Sequence, residues 1–416
     1  MKQRFVLLLA FLQLAAAAVA QQTLTPAQYR EDFDALWTTV QEQYAYWPEK
    51  KTDWNCVRER YRPQLDTIRS RYAFTLFLES VLRELTDQHM SLNTNTAASY
   101  RLVPTGADIA LRLSGDRAFV SEVRPRSGAE KAGVRAGMEL MGVNGRSPGD
   151  AISPLLPQCL SAPDSAARLY ALQLLAAGIH RDPRSLTLSD GHALHRGLRP
   201  DSLVNIDTLG YDGLLEHRIL EGNVGYIGLH NSLGDEALIP AFDSVLNGLM
   251  NTRALIIDLR ETPSGSTSTV ARAIMGRLLQ REGYYQRHEL PADSGRWGVK
   301  RSWVEIVVPR GKAYTQPVVL LVGAWTGSMG EGIAIGLHGL HRAVLFGHAM
   351  AGLNGAIYSF RLPNSGIGYS VSAERLYHIN GTRRELFHDI RPVPDSRPGF
   401  DGGLSAAVRF LTRSAR

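Results

Sequence analysis

Cysteine is nearly absent from this 416-residue chain: Cys56 and Cys159 are the only two. They offer no metal-ligand spacing, and their separation leaves a single disulfide open if the chain is exported. Basic runs are missing as well. The 46 Lys and Arg against 40 Asp and Glu give a formal charge of +6, but these residues are scattered and not interleaved with aromatics, which argues against a nucleic-acid partner. Beyond the N-terminus no apolar stretch suits a membrane span. His338, His341, His348, His378 and His388 share no metal spacing on a common element, so no metal or other cofactor is implied.

The N-terminus carries a compartment signal. Lys2 and Arg4 precede the apolar run Phe5 to Leu12, and an Ala-rich segment ends in Ala18-Val19-Ala20. Residues 1–20 read as a removed signal peptide, which makes the protein exported, periplasmic or secreted after cleavage near Ala20. The apolar stretch is short for an anchor. With 44% hydrophobic and 21% charged residues, the rest has the composition of a globular protein of two or three domains.

Three blocks follow. Residues 21–98 read as helical: Thr25-Pro26 is an N-cap followed by Pro at the first helical position, and Phe33, Leu36, Trp37, Val40 and Tyr44 recur at helical spacing. A second helix runs from Phe74 to Leu85. Residues 99–188 contain a small helix between Gly turns, a short strand and the turn Asn144-Gly145. Residues 189–416 alternate strands (Val224 to Leu229, Ala254 to Arg260) with helices (Ala237 to Met250, Thr269 to Leu279), a rhythm that predicts a mainly parallel α/β sheet.

The stretch Gln316 to Gly332 concentrates the chemistry. A buried β-branched run breaks into a Gly/Thr turn, and an apolar helix follows from Ile333. Ser328 therefore sits where strand becomes helix, with free amides and a helix N-terminus that favours negative charge. That is how a hydrolase presents a serine nucleophile, although Thr326 departs from the Gly-x-Ser-x-Gly elbow. The bland reading is a serine that merely caps a helix. Glu331 reads as a first-turn residue that complements the helix dipole.

Taken in order, these motifs resemble the tail-specific or C-terminal processing serine peptidases, a family that includes the tricorn core. Leu85-Thr86-Asp87-Gln88-His89 is similar to the Leu-x-Asp-x-His that ends its helical prelude. Ala132-Gly133 to Asn144-Gly145 resembles its PDZ domain, with Met138 where Asp is usual. Leu255 to Gly265 is similar to Ile-Asp-Leu-Arg-x-Asn-x-Gly-Gly, and Ser328-Met329-Gly330-Glu331 to Ser-x-x-Glu. The resemblance implies an α/β catalytic core of ClpP/crotonase type, a mixed sheet with helices, plus an N-terminal helical domain and a PDZ β/α domain.

It also implies site roles. In one branch of the family a Lys serves as base, but alignment puts Leu353 at the Lys and Ile357 at its Gln partner, and neither moves a proton. The His-dependent branch implies Ser328 as nucleophile, His89 as base and Glu385 as the carboxylate that orients it. Glu374 is the alternative orienter, and Gln88 a supporting residue. Met329 and the loop Ser264-Gly265 would supply the oxyanion donors, with Ser264 and Thr262 standing where the family has Gly and Asn. Gly106, Ile109 and Leu111 would bind a peptide carboxy-terminus as an added strand. The implied activity is hydrolysis of peptide bonds in polypeptide substrates recognised through their C-termini, by a chain that is able to homo-oligomerise. The competing reading is a catalytically inactive relative that binds peptides or small ligands.

Overall fold

The computed structural model describes residues 24–413 apart from Pro163, Ser266 and Pro398; the signal peptide expected at residues 1–20 lies outside them. Thr25 caps α1 (Pro26–Gln43) by accepting the Gln28 amide, and Pro26 takes the first position as expected. Helices α2 (Trp54–Tyr61) and α3 (Arg71–Arg83) follow, capped by Asp53 and Ser70. Their apolar faces do not close on each other alone. Tyr29, Phe33, Leu36, Phe74 and Leu78 share one core with Leu362, Ile367, Tyr369 and Val371 from far down the chain. The block expected as an N-terminal helical domain is thus a layer over a distant sheet, because these helices lack enough partners to bury their own stripes.

A five-stranded antiparallel sheet comes next, in the order β1 (Ile109–Ser114), β2 (Arg117–Val123), β3 (Glu139–Val143), β4 (Leu186–Ser189) and β5 (Leu194–Leu198). It runs past the boundary expected at residue 188. Helix α4 (Ser165–Ala177) packs on β1, whose outer edge has no strand partner among the described residues. Asn144 and Gly145 both have positive φ, 51° and 78°, as a tight hairpin turn demands.

The last block holds a six-stranded sheet in the order β15 (Arg391–Pro392), β12 (Ala343–Gly347), β11 (Val318–Val322), β8 (Ala254–Asp258), β7 (Val224–Leu229) and β6 (Leu215–Leu220). All neighbours are parallel except β6, which pairs antiparallel with β7. Its central strands are buried along their whole length, as a parallel sheet covered on both faces requires. Helices α5 (Leu238–Gly248), α6 (Ser268–Gly276) and α7 (Met329–Gly339) cover one face, and α8 (Gly402–Arg413) the other. A separate antiparallel sheet, ordered β10 (Arg301–Val307), β9 (Gly283–Leu290), β14 (Gly368–Tyr377) and β13 (Ala356–Arg361), carries the helical layer.

The thiols of Cys56 and Cys159 are joined, with Cα atoms 5.7 Å apart, tying α2 to the segment before α4. Buried Glu84 reinforces that junction by accepting the amides of Gln158 and Cys159, each at 2.9 Å. Among the described residues no helix is long and apolar enough to cross a membrane, and no three His, Cys, Asp or Glu side chains are grouped to hold a metal ion.

Candidate active site

Ser328 stands at the end of a tightly constrained turn. After β11, Thr326 receives the Gly323 amide at 3.0 Å and donates its hydroxyl to the Leu259 carbonyl at 2.9 Å, tying the turn to the end of β8. Gly327 donates to the Thr262 carbonyl, and a Cβ there would lie 2.7 Å from the Pro263 carbonyl oxygen, so only glycine fits. Ser328 itself is held at φ 50° and ψ −113°, a costly conformation for a residue with a side chain.

The hydroxyl meets His89. Its Oγ lies 3.2 Å from Nε2, while Nδ1 lies 2.8 Å from the backbone carbonyl oxygen of Asn354. A carbonyl can only accept, so the proton sits on Nδ1 and the Nε2 lone pair faces the serine. Burial, and then the nearby Arg384 guanidinium, hold the imidazole down to about 4, so it is neutral at pH 7.

The expected orienters are elsewhere. Glu374 is a partner of His288, 2.8 Å from Nδ1, and of the Tyr358 hydroxyl. The Glu385 carboxylate faces Tyr46, 3.5 Å from its hydroxyl, and Arg383, 3.4 Å from Nε, and makes no hydrogen bond to His89. The Asn354 carbonyl has taken the ring nitrogen that a Glu was expected to hold. Gln88 contacts neither ring nitrogen; it lines two cavities beside the site.

The loop bearing Asn354 is clamped from two sides. Glu331 stands in the first turn as expected, is fully buried, and accepts the amides of Ser328 and Gly352, both at 2.9 Å, so it also ties the helix start to this loop. Burial raises its carboxyl to about 7. Arg384 is 2% exposed and donates to the carbonyls of Leu353 and Gly355, at 3.1 and 2.5 Å. Leu353 packs at the serine turn, 3.2 Å from where a Cβ on Gly327 would lie, so the side chain at the aligned Lys position is apolar and close to Ser328.

Two backbone amides lie near the serine. Met329 begins α7, and neither its amide nor that of Gly265 has a partner among the described residues. A Cβ built on Gly265 would lie 3.0 Å from the Cβ of Met329, so the two backbones are adjacent. The Ser264 amide and hydroxyl instead bond the Asn231 side chain, at 3.2 and 2.7 Å, which removes Ser264 from the donor set.

Ile109 and Leu111 line a cavity of about 560 Å³ between β1, α4 and the catalytic block; Gly106 is not among its walls but packs against Arg101. Trp325, three residues before the serine, donates its indole N–H to the Ala107 carbonyl at 2.8 Å. The sequence reading missed Asn354, Arg384 and Tyr44. Only Asn354 carried a signal, through its place next to the substituted Lys position.

Solved structures share this architecture. Mature CPAF aligns with a TM-score of 0.60 at 15% identity, over 94% of this chain and 95% of that chain. The photosystem II D1 C-terminal processing protease aligns with a TM-score of 0.57 at 18% identity, over 94% of this chain and 98% of that one. In sequence, residues 25–83 match the Tricorn protease C1 domain, and residues 223–392, which hold the nucleophile turn, match Peptidase family S41.

Proposed function

We propose that this protein is a serine-type peptidase that hydrolyses peptide bonds of polypeptide substrates, with Ser328 as nucleophile and His89 as base. The observation that carries the reading is the 3.2 Å approach of a neutral His89 Nε2 to the hydroxyl of a serine held at positive φ. Ser328 Oγ attacks the scissile carbonyl carbon while its proton passes to Nε2. The tetrahedral oxyanion is received by the Met329 and Gly265 amides. Nε2 then protonates the leaving amine, and an acyl-enzyme remains on Ser328. Water enters, gives a proton to the same nitrogen, and releases the carboxylic acid and free serine. Throughout, Nδ1–H stays on the Asn354 carbonyl.

The five-stranded block is read as a PDZ-like module that takes substrate C-termini along the free edge of β1. The unpaired edge, α4 beside it and the cavity reaching Gln88 support this. Export is supported by the leader-like residues 1–20 and by the paired cysteines. Reaction with a fluorophosphonate probe tests the catalytic reading. Wild type is expected to label at pH 7.5 and Ser328→Ala is not; a folded wild type that fails to label refutes it.

A further inference from the structure

His89 is oriented by a neutral group, the Asn354 carbonyl, and a carbonyl stabilises an imidazolium less than a carboxylate does. One buried carboxylate nevertheless reaches both members of this pair. Asp87 is 3% exposed, and its Oδ1 accepts the His89 backbone amide at 2.9 Å. Its Oδ2 accepts the Asn354 side-chain amide at 2.8 Å and the buried Tyr44 hydroxyl at 2.9 Å. Each contact fixes one end of the ring-to-carbonyl hydrogen bond, so a single group sets the spacing between them. Among the described residues no Lys or Arg hydrogen-bonds Asp87 or forms an ion pair with it, and the half-buried Lys50 ammonium, held on the Thr86 hydroxyl at 3.5 Å, is the cation that interacts with it electrostatically. Arg384 donates to the same loop, Glu331 is occupied by two amides and Glu374 by His288, while Glu385 Oε1 has no hydrogen-bond partner among the described residues and lies 3.4 Å from Arg383 Nε rather than on His89.

We propose that Asp87 is the positioning residue of this site: it holds His89 and Asn354 in register and supplies, from one hydrogen bond further out, the negative charge that a directly bonded carboxylate would supply. The orienting device is then Asp87, Asn354 and Tyr44, assembled from three separate parts of the chain. It rests on reading Ser328 and His89 as nucleophile and base.

The test uses the full chain carrying Asp87→Asn, Glu385→Gln, or the reciprocal swap Asp87→Asn with Asn354→Asp, each checked for folding by circular dichroism. Nitrogen-15 spectra of the histidine rings at pH 7 are expected to find His89 in the Nδ1–H tautomer in wild type and in mixed tautomers in Asp87→Asn, where two side-chain amides face each other. In a peptidase assay Asp87→Asn should lower kcat about 10- to 100-fold, the scale on which outer partners of a functional histidine act, with KM changed less than about twofold. The swap restores a donor opposite an acceptor and should recover both the tautomer and part of kcat. A fixed Nδ1–H tautomer with wild-type kcat in Asp87→Asn overturns the proposal, and so does a loss in Glu385→Gln equal to or larger than the loss in Asp87→Asn. If wild type neither labels nor cleaves, the peptidase reading is what fails, and the tautomer measurement still decides the role of Asp87.

Discussion

Replacing Glu331 with glutamine should unmask a pH dependence that the native chain conceals. Two groups of the site are displaced in opposite directions by the same burial. The Glu331 carboxyl is raised from 4.5 to about 7, and the His89 imidazole is lowered from 6.5 to about 4. Between pH 4.5 and 7 the folded chain keeps a proton on Glu331 that the unfolded chain releases, so this group's contribution is full at low pH and is lost as pH rises. Between pH 4 and 6.5 the unfolded chain binds a proton on His89 that the folded chain refuses, so that contribution is full above pH 6.5 and is lost as pH falls. Each displacement corresponds to about 3 kcal/mol over its range, and in wild type the two slopes oppose each other. Glu331→Gln removes one of them. It also leaves one of two amides, Ser328 or Gly352, without an acceptor, a pH-independent cost of about 1–3 kcal/mol. Guanidinium titrations followed by tryptophan fluorescence at half-unit steps from pH 4.5 to 7.5 read the difference between variant and wild type. That difference should move by about 3 kcal/mol in favour of the variant as pH rises. Parallel profiles would refute the assignment of the buried titration to Glu331.

Three further outcomes follow from the same geometry. Gly265→Ala brings a methyl within 2.9 Å of Leu233 and 3.0 Å of Met329, so it should shift one oxyanion donor and lower kcat about 100-fold with little change in Tm, as steady-state kinetics will report. Arg384→Met removes the charge that helps depress His89 and the donor that holds two loop carbonyls. Its acid limb of kcat/KM should therefore move to higher pH while kcat falls, and a limb that stays in place would contradict the role given to Arg384. Cys159→Ser opens a loop spanning 103 residues and should cost about 2–4 kcal/mol in denaturant titrations under oxidising conditions, with no such loss when both proteins are reduced.

The elements legible in the sequence were those whose signal is local. Strand Val224–Leu229 and the strand-to-helix turn at Ser328 fall where apolar runs and Gly placement put them, because burial on both faces and turn sterics act within a few residues. The helical region was legible in residues 21–98, but nothing there reveals that Tyr369 and Val371 complete its core. The proximity of His89 and Ser328 was expected from resemblance, not from pattern. The orienter was misplaced for a physical reason. A sequence advertises carboxylates, whereas the group that bonds Nδ1 is a backbone carbonyl, which every residue has. What selects Asn354 is the grip of Glu331 and Arg384 on its loop, and both act across long stretches of chain.

The helical layer's dependence on β14 also has a consequence for biosynthesis. His89 leaves the ribosome 239 residues ahead of Ser328, and the segment bearing it is not packed until Tyr369 and Val371 have followed. Arg384, which pins the loop that faces the imidazole, arrives later still. A nascent or truncated chain that stops short of Arg384 therefore holds a serine and a histidine but no assembled centre.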